Sequence, residues 1–168
     1  MERENKKNDL CGCYCLKFST APANRPPAID ANFWAQATAT GEVCGEGCEG
    51  YIEVSAKGLI PLGVYTLWFM TDKGPFPAAP LNANYGSDGY DPNRLVVNSN
   101  GVLNYYVAPL DYNPFKGIPI LGGCAKVQGV SIAFNSDRTT HGLSPGTPNV
   151  TFFEQLIAQF GIRNEGSK

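Results

Sequence analysis

Apolar and polar residues alternate along this chain in short stretches, separated by clusters of glycine, proline, asparagine and aspartate. Such a pattern belongs to a sheet protein, where successive side chains point to opposite faces. The most apolar stretch is Val64–Met70, which follows a turn marked by Gly58, Pro61 and Gly63. A short run of β-branched, aromatic and aliphatic residues bounded by turn residues predicts a strand buried in the middle of a sheet. Leu10–Ser19, Asn32–Glu42 and Tyr51–Ala56 alternate more strictly and predict strands, the last with one dry face and one wet face. Arg94–Asn98 and Val102–Leu110 predict a hairpin, because Asn100-Gly101 supplies the positive φ of a tight turn. Ala125–Asn135 predicts the last strand, and Gly41–Gly50, Thr71–Asn93, Asp111–Gly123 and Ser136–Asn149 read as loops.

One stretch has a helical period. In Val150–Phe160, the residues Phe153, Leu156, Ile157 and Phe160 fall at i, i+3, i+4 and i+7, an apolar stripe. This spacing predicts a C-terminal helix over 150–160, capped by Asn149 or Thr151 and ended by Gly161. The expected fold is all-β: an antiparallel β-sandwich of Greek-key or immunoglobulin-like type with one C-terminal helix. Within it the chain divides into a flexible cysteine-bearing segment over 1–19, the sandwich over 20–162 and a polar tail over 163–168.

Composition adds exclusions. The 168 residues suit one domain with a real core. Charged residues make up 17% of the chain, below the ~25% typical of soluble domains. A net charge of −2, without a basic stripe, gives no electrostatic footprint for nucleic acid. The longest apolar run falls well short of the ~20 residues of a membrane-spanning helix, so no transmembrane segment is expected. Met1–Asp9 is charged and has no apolar run after it, so it does not read as a secretory leader.

The cysteines are the strongest chemical signal: Cys11, Cys13, Cys15, Cys44, Cys48 and Cys124. An even number in a glycine- and proline-rich β domain points to disulfides and an oxidising compartment. On a strand, Cys11, Cys13 and Cys15 share one face, and residues two apart sit near the upper limit of the ~4.4–6.8 Å Cα separation that a disulfide tolerates. They are therefore expected to pair outward, with Cys44, Cys48 and Cys124, in an order the spacing does not choose. The alternative is a soft-metal site, in which the same thiolates gather zinc, copper or iron.

Two loops hold further candidates. Asp88, Asp91 and Asn93 offer alternating oxygen ligands of the kind that bind calcium, or Asx turns in which they bond their own backbone. His141, with Asp137 and Ser144 nearby, has the residue types of a hydrolytic triad. The bland reading is a histidine that holds its own loop. Among the aromatic residues, Tyr105 and Tyr106 face opposite ways on a strand, so at least one is expected to be exposed.

Two motifs resemble a known group. Gly58-Leu-Ile-Pro-Leu-Gly-Val-Tyr-Thr-Leu-Trp-Phe69 is similar to a Gly-Leu-x-Pro…Tyr-Thr-Leu-Trp turn and strand. Asp137-Arg-Thr-Thr-His-Gly-Leu-Ser-Pro-Gly146, followed by Phe153-Glu-Gln-Leu156, resembles an Asp-Gly-x-Thr-His-Gly…Pro-Gly…Phe-Glu-Gln-Leu ending, with Arg138 in place of its glycine. Both are found in uncharacterised exported or cell-surface prokaryotic β-sandwich proteins, and the resemblance spans roughly residues 50–160. The Gly-Leu-x-Pro turn also echoes copper–zinc superoxide dismutase and chordin-type sandwiches. Dismutase chemistry needs a histidine cluster, and His141 is the only histidine here, so that activity is rejected.

The function expected from these features is a non-enzymatic extracellular or cell-surface module, stabilised by disulfides and acting in self-assembly or in binding a surface partner or ligand. A soft-metal or redox protein using the N-terminal cysteines is the alternative, and a hydrolase using His141 a remote one.

Overall fold

The computed structural model describes residues 12–79 and 91–160. In chain order these form β1 (Gly12–Lys17), β2 (Ser19–Thr20), a 3-10 turn at Pro22–Asn24, α1 (Ala31–Ala35), β3 (Thr38–Glu46), β4 (Glu49–Lys57), β5 (Val64–Thr71), β6 (Gly74–Pro77), β7 (Leu95–Val96), β8 (Leu103–Leu110), β9 (Ile118–Ile120), β10 (Gly123–Ala125), β11 (Val127–Asn135) and β12 (Phe152–Gln159). One sheet runs β1-β3-β4-β8. The larger sheet runs β2-β12-β11-β5-β6, with β7 also paired to β5, while β9 and β10 make a separate ribbon. Every strand pair is antiparallel. No helix among the described residues is long and apolar enough to cross a membrane.

Both sheets feed one core. Leu16, Val43, Ile52, Val54 and Ala56 from the smaller sheet join Tyr65, Leu67, Phe69, Val130, Ile132 and Leu156 from the larger in a single buried cluster. Alternation along each strand produces this, since these positions recur at every second residue. The apolar stretch at 64–70 is β5, an interior strand between β11 and the pair β6 and β7. Its other face is dry too. Trp68 packs there with Ala133 and Phe152, its ring meeting that of Phe152 edge-on at 6.1 Å. Trp68 Nε1 donates to Thr66 Oγ1 at 2.7 Å, and Asn135 Nδ2 donates to the same oxygen at 3.0 Å. The polar atoms of Thr66, Trp68 and Asn135 are thus paired in a place where leaving them unpaired would be costly, whereas the buried Ser131 Oγ on the same face has no hydrogen-bond partner among the described residues.

Where the chain was expected to form a C-terminal helix, it forms β12. A β-bulge explains the misleading period. Ile132 pairs with Leu156 and the next residue, Ala133, pairs with Glu154, so Gln155 is an extra residue in the ladder. The bulge shifts the phase of alternation. Phe153 packs on one side of it, Leu156, Ala158 and Phe160 on the other, and all are buried. A strand whose phase slips by one residue places apolar side chains three and four apart, as a helix does.

The bulge is tied down by a closed set of hydrogen bonds. Gln155 accepts from the Ala21 N–H through its backbone carbonyl, at 3.0 Å. Ala21 accepts from Trp34 Nε1 at 3.0 Å, and the Trp34 carbonyl accepts from Gln155 Nε2 at 3.2 Å. The remaining side-chain oxygen, Oε1, accepts from the Tyr65 hydroxyl at 2.6 Å, and that hydroxyl accepts from the Ile60 N–H at 3.0 Å. Trp34, Tyr65 and Gln155 are each fully buried.

Three other expectations change. Asn32–Glu42 is not one strand: Asp30 caps α1 by accepting from the Phe33 N–H at 3.0 Å, and β3 begins only at Thr38. Gly41–Gly50 is not a loop but most of the β3–β4 hairpin, whose register runs unbroken from Thr38↔Lys57 to Glu46↔Glu49. Its glycines reflect close packing. A Cβ at Gly50 would lie 2.6 Å from both the Cys44 carbonyl oxygen and Pro114 Cδ. The expected turn at 98–101 does form, with Asn98 Oδ1 accepting from the Asn100 and Val102 N–H groups at 2.9 Å each. Its two arms enter different sheets, β7 joining β5 and β8 joining β4.

Tyr65→Phe strands the Ile60 N–H and Gln155 Oε1 in the core. It is expected to lower stability by about 1–3 kcal/mol, seen as a lower urea midpoint with an unchanged slope. Burial pushes the Tyr65 and Tyr112 phenols well above their ordinary value, with a lesser opposite effect at Tyr65 from the Ile60 N–H and a further rise at Tyr112 from Asp111 and Tyr105. A phenol that holds its proton more tightly folded than unfolded stabilises the fold fully below the ordinary range near ~10. That contribution is lost as pH rises above it. Stability is therefore expected to fall with alkaline pH, and less steeply in Tyr65→Phe.

Candidate functional site on the four-stranded sheet

Alternation that sends Tyr14, Leu16, Val43, Ile52 and Val54 to the core sends their neighbours outward. The outer face of the smaller sheet therefore carries Cys13, Cys15 and Lys17 from β1, Glu42 and Cys44 from β3, Tyr51, Glu53 and Ser55 from β4 and Tyr106 from β8. Pairing register arranges them in rows. Cys15 opposes Glu42, Glu42 opposes Glu53, and Glu53 opposes Tyr106. In the next row Cys13 opposes Cys44, and Cys44 opposes Tyr51.

Cys13 and Cys44 form a disulfide that joins β1 to β3 across 31 residues of sequence. Glu42 Oε1 lies 3.3 Å from Cys44 Sγ. A disulfide sulfur has no proton to donate, so this is a contact and not a hydrogen bond. Tyr51 Oη is 4.0 Å from Cys13 Sγ. The rings of Tyr51 and Tyr106 meet at 5.7 Å, and Tyr106 is 60% exposed. The Tyr51 phenol is raised from its ordinary value, first by desolvation and then by the charges of Glu42, Tyr106 and Glu53. Beside these groups a groove of about 490 Å³ is lined by Cys13, Cys44, Glu46, Glu49, Tyr51 and Pro109, among others.

The remaining cysteines are spread out. Cys15, Cys48 and Cys124 are exposed free thiols. Cys48 lies between β3 and β4 and Cys124 lies in β10. Cys11 is outside the described residues. Sequence spacing alone left the pairing open; the direct register of β1 against β3 decides it for Cys13.

The other candidates do not assemble into sites among the described residues. Asp91 Oδ1 accepts from the Asn93 N–H at 2.8 Å, an Asx turn, and Asn93 Oδ1 accepts from the Leu67 N–H at 3.3 Å. Their oxygens thus hold backbone, while the buried Asn93 Nδ2 has no partner among the described residues. Asp88 lies outside the described residues. His141 Nε2 is 2.9 Å from Asp137 Oδ2, an exposed pair within one loop. Ser144 Oγ accepts from the Gly146 N–H at 3.4 Å. No hydrogen bond between the Ser144 hydroxyl and the His141 ring is present, so the three residues do not form a nucleophile–base pair.

The face that the geometry does assemble was missed at the sequence level. Its signal was the outward half of four alternating strands. That half becomes legible only once the register sets Glu42, Glu53, Tyr51 and Tyr106 side by side. Comparison with protein-family models, with curated proteins and with solved structures found no match to this chain.

Replacing Cys13 and Cys44 together by alanine frees a loop of this length and is expected to lower stability by about 3–4 kcal/mol under the chain-entropy relation. The loss is read from thermal or urea unfolding, with faster amide exchange in β1. Replacing His141 by alanine is expected to cost under about 1 kcal/mol, because its ion pair is exposed.

Proposed function

We propose that this chain is a non-enzymatic β-sandwich module of the cell surface or extracellular space that binds a cationic partner through the outer face of the β1-β3-β4-β8 sheet. The single observation that carries this reading is the direct cross-strand pairing of Glu42 with Glu53, flanked by Tyr51 and Tyr106. Like charges set opposite one another on a sheet are destabilising, and an arriving cation relieves that cost. Tyrosine rings beside the carboxylates add the negative faces on which ammonium and guanidinium groups rest. The groove along Cys13, Cys44, Glu46 and Glu49 extends the same surface.

Two further features support the placement. The Cys13–Cys44 bond suits an oxidising compartment. The single core shared by two antiparallel sheets suits a sandwich, and the Gly58–Phe69 and Asp137–Leu156 motifs resemble those of exported sandwich proteins.

A lysine-rich peptide titrated into isotope-labelled oxidised protein tests the binding role by NMR. Shifts are expected at Glu42, Tyr51, Glu53 and Tyr106, weakening with salt and losing at least tenfold in affinity in Glu42→Gln/Glu53→Gln. Shifts confined to other faces, or an affinity indifferent to both substitutions, would overturn it. So would a stable dimer in sedimentation that hides the same face.

A further inference from the structure

The sulfurs of Cys13 and Cys44 and a carboxylate oxygen of Glu42 all lie within 4.8 Å of one another. Two thiolates and a carboxylate are a donor set for a borderline-soft divalent ion. Their positions are fixed by adjacent strands and not by loops, which is how a metal site keeps its geometry. A further thiol, outside that 4.8 Å group, lies on the same face of the sheet. Cys15 directly opposes Glu42 and lies two residues from Cys13 on the same strand face, and its thiol is free and exposed. Cys13 and Cys44 also line the open groove, so an ion reaches them from solvent.

We propose that in the reduced protein Cys13, Cys44 and Glu42, with Cys15 as fourth donor, form a zinc-class metal site, and that the Cys13–Cys44 disulfide is the oxidised, metal-free state of that site. Zinc–sulfur bonds of about 2.3 Å at a tetrahedral angle set two sulfurs about 3.8 Å apart. The reduced sulfurs part to that spacing by side-chain rotation, while β1 and β3 keep their register.

The redox step balances with a dithiol as reductant. One of its thiolates attacks Cys13 Sγ and expels Cys44 as thiolate, and its second thiol then displaces Cys13. The reductant leaves as a cyclic disulfide, and its two protons end on Cys13 and Cys44. Metal binding then releases those protons to water. Either cross-link, covalent or metal-bridged, ties β1 to β3. The site rests on the thiols and Glu42 of the reduced protein, so cation binding by the oxidised face can fail without affecting it.

The test is titration of the full chain with Co²⁺, after reduction by dithiothreitol and anaerobic removal of the reductant. The expected result is an intense sulfur-to-cobalt band in the near ultraviolet that saturates at one ion per chain and vanishes on adding Zn²⁺. The oxidised chain should show none. Cys48→Ser/Cys124→Ser should leave the titration unchanged, Cys15→Ser should lower the band intensity, and Cys13→Ser/Cys44→Ser should abolish it. Glu42→Gln should weaken Co²⁺ binding at least tenfold, an effect that thiols of an unfolded chain would not show. Zn²⁺ should also raise the unfolding midpoint of the reduced chain toward that of the oxidised one. The proposal is overturned if the reduced chain gives no band, if the band survives Cys13→Ser/Cys44→Ser or ignores Glu42→Gln, or if Zn²⁺ leaves the midpoint where it was.

Discussion

Gln155 is the residue on which the larger sheet depends. A bulge leaves one residue's backbone outside the regular ladder, and in a dry interior each of its polar groups must find another partner. Gln155 solves this by drawing in three distant segments: Ala21 after β2, Trp34 of α1 and Tyr65 of β5. Each partner is itself held by the set, since Trp34 also bonds Ala21 and Tyr65 also bonds Ile60. A local irregularity thereby positions the connector around α1 and the turn before β5. The polar network sits among fully buried aromatic rings, where low polarity strengthens every bond in it and penalises every omission.

The two sheets divide their duties by face. Inward faces of both supply one apolar core. The outward face of the larger sheet is closed around Trp68, Ala133 and Phe152, and its polar atoms at Thr66 and Asn135 bond one another. On the smaller sheet the outward face stays wet and holds opposed glutamates, the Tyr51–Tyr106 pair and a thiol beside a disulfide. The binding face and the metal site proposed above both lie on this second, wet face.

Legibility in the sequence followed the strength of the local pattern. The run at 64–70 was readable as a buried interior strand because seven consecutive residues agreed. Ala125–Asn135 and Tyr51–Ala56 were readable for a similar reason, and the Asn98–Gly101 turn because Asn-Gly chemistry is specific. The last strand was misread because the Gln155 bulge breaks period two at the one place where the broken period imitates a helix. Glycines at 41, 45 and 50 suggested a loop, yet those at 45 and 50 admit the 112–115 segment against the hairpin, and a Cβ at 41 would meet the Glu53 carbonyl oxygen on β4. A single sequence shows glycine's freedom but not the neighbour that demands it. The cysteines announced a cross-link, and only the β1–β3 register could say which one. Asp137, His141 and Ser144 had triad residue types, but the loop conformation joins the side chains of only the first two, Ser144 meeting His141 through the backbone.

The position of the disulfide has a mechanical consequence. It lies one residue into β1, at the end where the chain enters the sheet. Tension applied from the N-terminal side would otherwise unzip an edge strand one hydrogen bond at a time, starting at Gly12. With the bond in place, the load passes from Cys13 straight into β3, which is flanked by strands on both sides. The pairs from Tyr14 to Lys17 lie beyond the anchor and feel none of the pull. An edge strand, the weakest mechanical element of an open sheet, becomes a covalent tether point.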